Sequence, residues 1–382
     1  MQPRSESRVE SVVEKPIRAL FEKYPRLRGT LHCIKLGTLP TPVQRLDKLE
    51  RALGEHAPEL YIKRDDLSGM LYGGNKVRKL EFILGRAIQG SYHEVLTFGG
   101  AGSNHALATA LYARALGLHS ISMLIPQPNS HSVRRNLLRG YSAGVELHHS
   151  SGMLTIPFAT LAQLVRHWFR TRRFPYLIAP GGSSPIGMVG FVNAAFELKQ
   201  QVEAGLLPEP DYIYAASGTM GTAVGLLLGL KAAGLRAKVV AVRVTQPQFS
   251  SVRKARRLFA ATNAVISRAD PSFPTIQFPM ADFLFCHDHY GQEYGLYTPE
   301  AMQAVELFGQ TTGVKLEGTY TGKTLAALLA DVHAGKLEGK KALFWNTYNS
   351  SAIFDEADSI DYHNLPKSFH RYFEEDVQPL DK

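Results

Sequence analysis

Residues 95–118, VLTFGGAGSNHALATALYARALGL, run from an apolar segment through a glycine-rich turn into a stretch of small apolar residues. Residues 95–98 are largely apolar, as in a strand buried on both faces, and residues 106–116 favour a helix. Three glycines crowd the end of the strand, which is where α/β folds place their ligands. The unit predicts an α/β fold built on mostly parallel sheets with helices on both faces.

A second unit of the same order occupies residues 211–234, DYIYAASGTMGTAVGLLLGLKAAG. Its loop offers hydroxyls and consecutive backbone N–H groups at the start of a helix, which favours anion binding. It is neither a Walker loop nor a dinucleotide-binding turn, because it lacks the lysine of the first and the third glycine of the second. A tight strand-to-helix connection is the alternative. The candidate residues are Ser217, Gly218, Thr219, Met220, Gly221 and Thr222.

Further secondary structure follows the same pattern. Strands are predicted over residues 120–125, 238–244 and 342–345. A helix is predicted to begin after Thr298, which would cap it ahead of a proline and a glutamate. These elements extend the parallel sheet beyond the two units above.

A lysine stands at the start of a predicted helix within residues 61–88, YIKRDDLSGMLYGGNKVRKLEFILGRAI. Gly73 and Gly74 allow a sharp turn, and the apolar residues after them recur at helical spacing, which puts Lys76 and Lys79 on one face. The helix dipole and nearby positive charge should lower the pKa of the amine, and a neutral amine attacks aldehydes to form a Schiff base. Lys76 is therefore a candidate imine-forming residue; a solvated surface lysine is the alternative.

Two polar residues, Ser103 and Asn104, follow the glycines of the first unit. Either could cap the next helix or bind a ligand at the edge of the sheet. The crowded glycines favour the ligand.

Composition and charge narrow the class of protein. A chain of 382 residues with 45% apolar and 20% charged residues indicates a globular protein of about two domains. Cys33 and Cys286 cannot build a disulfide framework or a cysteine zinc site, and we expect no metal. The net charge is +9, but the basic clusters are scattered without interleaved aromatic residues, so nucleic-acid binding is not expected.

No apolar run reaches the roughly 20 residues that a membrane span needs, so we expect no membrane partner. The first 29 residues mix acids and bases and do not resemble a signal peptide. These features predict a cytoplasmic location.

Seven ordered stretches resemble the D-cysteine desulfhydrase and 1-aminocyclopropane-1-carboxylate (ACC) deaminase family, which are pyridoxal-phosphate enzymes of the tryptophan-synthase-β type. They lie between residues 36 and 354 and read LPTPVQRLDKL, KRDDLSGMLYGGNKVRKLEF, FGGAGSNHALATA, APGGSSPIGMVGF, ASGTMGT, YGQEYGL and TYTGKTLAAL. The resemblance implies a large domain of residues 1–78 and 201–382, a small domain of residues 79–200, and an active site in the cleft between them. It also implies a homodimer.

The resemblance also implies residue roles. Lys76 would form the Schiff base with pyridoxal 5'-phosphate, and Lys79 and residues 217–222 would hold its phosphate. Asn104 would contact the phenolic oxygen of the coenzyme. Ser103, Asn104 and His105 would bind the substrate carboxylate, although His105 could instead be a packed helix residue. Tyr290 and Tyr320 would approach the substrate side chain.

The chain departs from the ACC deaminase pattern at three places. Thr321 stands where that enzyme has the glutamate that faces the pyridine nitrogen, and Thr347 is a second neutral candidate for this position. Met220 replaces a glycine of the phosphate loop. The family has an H-T-G-G segment near its C-terminal end, and this chain has Asn346, Thr347, Tyr348 and Asn349 in its place. Their side chains could reshape the substrate pocket.

A neutral partner for the pyridine nitrogen weakens the electron sink, which suits β-elimination better than ring opening. We therefore expect a lyase that converts a small amino acid to a 2-keto acid and ammonia by α,β-elimination, with D-cysteine, releasing sulfide, as the lead substrate. The alternatives are an ACC deaminase, a racemase or ammonia lyase for another β-substituted amino acid, and a catalytically silent relative that binds an amino acid.

Overall fold

The computed structural model describes residue 16, residues 18–350 and residues 359–382. Most of the N-terminal stretch compared above with a signal peptide lies outside the described residues. The helices are α1 (Ala19–Lys23), α2 (Leu27–Thr30), α3 (Asp47–Leu53), α4 (Lys76–Gln89), α5 (Asn104–Ala115), α6 (His131–Ser142), α7 (Ile156–Thr171), α8 (Pro185–Glu203), α9 (Gly221–Ala232), α10 (Val252–Ala269), α11 (Pro299–Thr312), α12 (Thr321–His333) and α13 (Arg371–Glu374). None of the described helices is long and apolar enough to cross a membrane.

Ten strands form two sheets. The strands are β1 (Val43–Arg45), β2 (Glu59–Lys63), β3 (Glu94–Gly100), β4 (His119–Ile125), β5 (Glu146–His149), β6 (Tyr176–Leu177), β7 (Tyr212–Ser217), β8 (Lys238–Arg243), β9 (Phe283–Cys286) and β10 (Lys341–Trp345). The six-stranded sheet has the order β1-β2-β10-β7-β8-β9, and the four-stranded sheet has the order β5-β4-β3-β6. Every pairing is parallel except that of β1 with β2. The α/β fold with mostly parallel sheets is thus confirmed.

Helices cover both faces of the six-stranded sheet, as the side chains of β10 illustrate. Leu343 and Trp345 pack into a core with α8 and α9, whereas Ala342 and Phe344 pack into a second core with α11 and α12. Successive side chains of a strand point to opposite faces, so a strand between two helical layers must be apolar at every position. This explains the continuous apolar character of the predicted strands.

The two sheets draw on different parts of the chain. All strands of the four-stranded sheet lie within residues 94–177, and all strands of the six-stranded sheet lie outside that range. The expected domain limits fall inside helices, however: 78/79 lies within α4 and 200/201 lies within α8. A helix is one continuous hydrogen-bonded element. Each of α4 and α8 therefore connects the two sheets as a whole helix, and the two helices pack against each other.

A buried charge network ties α4 and α8 to β2. Arg78 donates hydrogen bonds to Asp65 and Glu197, with the nearest pairs 2.7 and 2.8 Å apart. Lys63 donates to Glu197 at 2.6 Å, and the indole N–H of Trp345 donates to Asp65 at 2.7 Å. Burial alone would raise the pKa of Glu197, but the charges of Arg78 and Lys63 lower it to about 2. The network fixes how α4 is rotated about its axis.

Replacing Glu197 by Gln tests this network. The variant leaves the buried cations Arg78 and Lys63 with one carboxylate less, so its free energy of unfolding in urea should fall by about 3–5 kcal/mol. Glu203→Gln is the matched control, since Glu203 lies near the end of the same helix and pairs only with Lys199 on the surface; it should change stability by less than about 0.5 kcal/mol. Equal effects of the two substitutions would contradict the assignment.

Candidate active site

A cleft lies where the carboxyl ends of strands from both sheets meet. Gly99 and Gly100 end β3, Gly218 follows β7, and Thr347 follows β10, and all four line the cleft. Parallel strands bring their carboxyl ends to one edge, which is the usual ligand site of such sheets. Loops that are far apart in sequence therefore share this space.

Lys76 is the first residue of α4, and it lines the cleft. Gly74 has φ = +86°, and an added Cβ there would meet the carbonyl oxygens of Thr347 and Tyr348 at 2.8 and 2.7 Å. The turn before Lys76 thus requires glycine for both its conformation and its packing. Among the described residues, no side chain or carbonyl accepts a hydrogen bond from the Lys76 amine.

Burial lowers the pKa of Lys76 to about 8, against the opposing effect of the Glu317 carboxylate. The expected direction of the shift is correct, but its main cause is desolvation rather than neighbouring positive charge.

The anion-binding loop lies opposite Lys76. Gly218, Thr219, Met220, Gly221 and Thr222 line the cleft at the start of α9. Ser217 does not line it: its side chain is buried, and its hydroxyl donates to the Met220 sulfur at 3.1 Å. As the last residue of β7, Ser217 points its side chain to the face of the sheet away from the cleft.

Met220 has φ = +76°, which is the left-handed conformation that glycine adopts more readily. Its side chain is buried, and its sulfur accepts hydrogen bonds from Ser217 and Ser250, neither of which lines the cleft. The methionine thus keeps the backbone conformation of the expected glycine and turns its side chain into the protein.

Lys79 lies at the same end of the cleft, one turn along α4. Its amine donates to the carbonyl oxygen of Gly181 at 3.1 Å and to the hydroxyl of Ser183 at 3.3 Å. That hydroxyl also accepts the backbone N–H of Gly221 at 3.1 Å. Burial, then the charges of Lys76 and Lys254, hold the pKa of Lys79 well below its usual value. Ser183 belongs to the APGGSS stretch, but no role was predicted for it.

Ser103, Asn104 and His105 all line the cleft. Ser103 caps α5 by accepting the N–H of Ala106 at 3.2 Å, so it both caps the helix and faces the cleft. Asn104 accepts a hydrogen bond from Asn136 at 2.8 Å, a partner that sequence reasoning missed.

His105 is 2% exposed, and neither of its ring nitrogens has a hydrogen-bond partner in the described residues. Burial, followed by the charges of Lys76 and Lys79, holds the pKa of His105 well below its usual value. The ring is therefore neutral, and it has one N–H to donate and one nitrogen to accept.

The structure brings only one of the two predicted tyrosines to the cleft. Tyr320 lines it, and the hydroxyl of Tyr294 lies 2.5 Å from that of Tyr320. Tyr290 lies outside the lining: its carbonyl accepts from Lys323, and the guanidinium of Arg243 lies over its ring. Tyr290 and Tyr294 both belong to the YGQEYGL stretch. This stretch forms an irregular loop, so the spacing of its residues does not indicate which side chains point into the cleft.

Thr347 lines the cleft, but Thr321 does not. Thr321 begins α12, and its hydroxyl accepts the N–H of Glu317 at 2.9 Å. Glu317 itself lines the cleft, and its carboxylate accepts the backbone N–H groups of Thr319, Tyr320 and Thr321 at 2.7–2.8 Å. Sequence reasoning missed this carboxylate, which stands in an irregular segment before α12.

The replaced H-T-G-G segment also meets the cleft. Tyr348 and Asn349 line it, and the side-chain oxygen of Asn349 accepts the N–H of Gly73 at 2.7 Å. The backbone N–H of Asn75 donates to Thr347 at 3.3 Å. The segment therefore supports the turn that positions Lys76, in addition to shaping the cleft.

Residues 34–347 match the model of a family described as pyridoxal-phosphate dependent enzymes. A Pyrococcus horikoshii protein, named provisionally as an ACC deaminase, is 32% identical over 90% of this chain and 97% of its own length. The D-cysteine desulfhydrase of Klebsiella pneumoniae (strain 342) is 31% identical over 87% of this chain and 96% of its own length.

A solved structure described as an ACC deaminase homologue superposes with a TM-score of 0.72 and 30% identity, covering 90% of this chain and 98% of the other. Together with the cleft geometry, these matches show that the chain belongs to the pyridoxal-phosphate-dependent enzymes, in the family of ACC deaminases and D-cysteine desulfhydrases.

Proposed function

We propose that this enzyme catalyses α,β-elimination of a small β-substituted amino acid, with D-cysteine as the lead substrate and pyruvate, ammonia and sulfide as products. The observation that carries the proposal is the unpartnered amine of Lys76, with its lowered pKa, which opens onto the same cleft as the anion-binding loop and the Ser103–His105 turn.

The residues of the cleft fit pyridoxal phosphate. A Cβ added to Gly221 would overlap the Ser183 hydroxyl and lie 2.9 Å from the Lys79 amine, so bare backbone is required where a phosphate would be held. Lys79 and residues 218–222 would hold that phosphate, and Lys76 would bond to the aldehyde carbon. Asn104 would contact the phenolic oxygen, and Thr347 would contact the pyridine nitrogen. When bound, the coenzyme supplies an electron sink for the substrate α-carbon.

Lys76 acts as the base in this proposal. A pKa of about 8 in place of 10.5 raises the neutral fraction of the amine at pH 7 by about 300-fold. The neutral amine removes the proton from the substrate α-carbon, and its position at the start of α4 holds it on one side of the cleft.

The Ser103–His105 turn would bind the substrate carboxylate. Ser103 offers a hydroxyl, and the unpartnered ring of His105 offers an N–H donor. Because the low pKa of His105 keeps the ring neutral, it contributes a hydrogen bond rather than a charge.

The tyrosine pair would protonate the leaving group. Burial raises the pKa of Tyr294, and burial and Tyr294 raise the pKa of Tyr320 well above its usual value. Both hydroxyls therefore keep their protons at neutral pH, and the 2.5 Å contact between them lets one orient the other. A proton donor beside the substrate side chain suits the departure of a thiolate.

ACC ring opening is the second candidate function, because the Glu317 carboxylate lines the cleft. Three backbone N–H groups already bind this carboxylate, and Thr347, which is neutral, lines the cleft after β10. This arrangement favours elimination.

The homodimer and the cytoplasmic location stay predictions. The exposed apolar side chains of Phe158, Leu161 and Phe169 along α7, with Leu154 just before the helix, support an interface between copies, since such faces on soluble proteins mark interaction surfaces.

Product analysis tests the reaction. The purified holoenzyme should convert D-cysteine to pyruvate, ammonia and sulfide in equal amounts, and Lys76→Ala should abolish turnover. Borohydride reduction should fix the coenzyme on Lys76, as peptide mass mapping can verify. Formation of 2-oxobutyrate from ACC without sulfide from D-cysteine would establish the second candidate, and turnover of neither would favour a silent relative.

The pH dependence of cofactor capture tests Lys76. The rate at which the enzyme freed of coenzyme takes up pyridoxal phosphate should rise about tenfold per pH unit up to about pH 8 and then level off, because only the neutral amine reacts. Glu317→Gln should shift this midpoint to lower pH, since Glu317 opposes the lowering of the pKa. An unchanged midpoint in the variant would contradict the electrostatic role of Glu317.

Tyrosine substitutions test the leaving-group acid. Tyr320→Phe should lower kcat for D-cysteine by at least about 100-fold, and Tyr294→Phe by about tenfold through loss of one hydrogen bond. Tyr290→Phe serves as the comparison and should lower kcat by less than about threefold, because Tyr290 does not line the cleft. A larger effect at Tyr290 than at Tyr294 would reverse the assignment.

A further inference from the structure

One wall of the cleft is apolar. It consists of Phe98 on β3, Ile125 and Pro126 at the end of β4, and Met153 and Ile156 at the start of α7, and it is called here the apolar arm. Phe98 and Ile156 pack together over the core of the four-stranded sheet. Met153 is 46% exposed, so the arm reaches the mouth of the cleft.

The charged side chains that line the cleft do not belong to the segments that form the apolar arm. Lys76 and Lys79 belong to α4, and Glu293 and Glu317 belong to segments that follow β9. Neither β4 nor the start of α7 contributes a charged side chain to the lining. The arm is therefore an apolar region of the cleft without charged side chains.

The apolar arm lies beside the tyrosine pair. Gly100 pairs in register with Ile125 across β3 and β4. A Cβ added to Gly100 would lie 3.1 Å from the ring of Tyr294, whose hydroxyl meets that of Tyr320. The neighbouring Gly99 packs directly against Ser103. The carboxylate-binding turn, the tyrosine pair and the arm are thus arranged around the end of β3.

This arrangement sets the direction of the substrate side chain. A substrate that places its carboxylate at Ser103 and its leaving group near Tyr294 has its β-substituent beside Ile125. The thiol of D-cysteine is too small to cover five apolar side chains, and water would remain against them. An apolar substituent would displace that water, which favours binding by about fourfold for each buried methylene group.

We infer that the apolar arm selects thioether substrates, S-alkyl or S-aryl derivatives of D-cysteine, over D-cysteine itself. This inference rests on the proposed elimination and names the class of leaving group. The Cα–H and Cβ–S bonds break, and the thiolate leaves with the bonding electron pair and takes up a proton. One water then converts the remaining three-carbon enamine to pyruvate and ammonium, so the reaction needs no oxidant or reductant.

A chain-length series tests the inference. The holoenzyme is assayed for pyruvate with D-cysteine and with its S-methyl, S-ethyl, S-propyl and S-butyl derivatives. The value of kcat/KM should rise by about fourfold per methylene group along the thioethers, and the longer thioethers should exceed D-cysteine. A value that is highest for D-cysteine and falls along the series would overturn the inference while leaving the proposed elimination intact.

Unreactive analogues separate the inference from the reaction. D-alanine, D-2-aminobutyrate, D-norvaline and D-norleucine lack a leaving group, and their binding can be followed by the change in visible absorption of the bound coenzyme. The dissociation constant should fall along this series if the arm binds the side chain. If neither D-cysteine nor any thioether yields pyruvate, the proposed elimination is contradicted. If the dissociation constant does not change along the analogue series, the inference about the arm is contradicted.

Variants of the arm supply the control. Met153→Gln and Ile156→Thr should each flatten the chain-length dependence by at least about fourfold between S-methyl and S-butyl substrates. Met280→Gln is the matched control, because Met280 is 47% exposed and does not line the cleft; it should leave the series unchanged. Retention of the full dependence in both arm variants would overturn the inference.

Discussion

The ion pairs of Arg78 hold the active site together. Arg78 lies on α4 between Lys76 and Lys79, and it is fixed by Asp65 from the segment after β2 and by Glu197 from α8. Because a helix is rigid, pinning the guanidinium also sets the direction of the two lysines on the opposite face. An Arg78 that could turn would let Lys76 move away from the cleft. The buried charges cost desolvation energy, and what they supply is a fixed orientation for the reactive amine.

The electrostatics of the cleft favour an anionic ligand. Lys76, Lys79 and His105 lie close enough that the charges of the lysines lower the pKa of their neighbours. Glu317 is the carboxylate that opposes this effect at Lys76, and its own charge is stabilised by three backbone N–H groups. Burial lowers the pKa of both lysines, and a phosphate on the loop before α9 would oppose that lowering at Lys79, whose amine already donates to Gly181 and Ser183.

Local patterns predicted strands β3, β4, β7, β8 and β10, helices α4, α5, α9 and α11, and the position of Lys76, because each depends on neighbours in sequence. The predicted strand at 342–345 is β10, Lys341–Trp345, and the predicted helix after Thr298 begins at Pro299 with Thr298 as its cap. Contacts between distant segments could not be predicted in this way. Ser183 accepts the N–H of Gly221 because α8 and α9 pack together, and the irregular loop that holds Tyr290 and Tyr294 has no repeating spacing that predicts which of them faces Tyr320.

Met220, which stands where a glycine was expected, is a second feature whose structural effect the sequence alone could not predict. From the sequence, Met220 implied a side chain entering the phosphate loop. In the fold, the left-handed backbone at this position turns the side chain toward Ser217 and Ser250. Residues 218–222 all line the cleft, so a methionine in place of the expected glycine does not by itself fill the space at the start of α9.

The two sheets divide the work of the site. Lys76, the anion-binding loop and Thr347 depend on strands of the six-stranded sheet and on α4, whereas the Ser103–His105 turn and the apolar arm depend on the four-stranded sheet. In the proposal, the apolar arm is thereby separated from Lys76 and from the loop before α9, whereas Asn104 belongs to the four-stranded side and Tyr294 and Tyr320 lie in segments between β9 and β10. β4 and the start of α7 contribute none of the side chains that hold Arg78. Changes there can therefore alter the shape of the substrate space without disturbing the helix that positions Lys76.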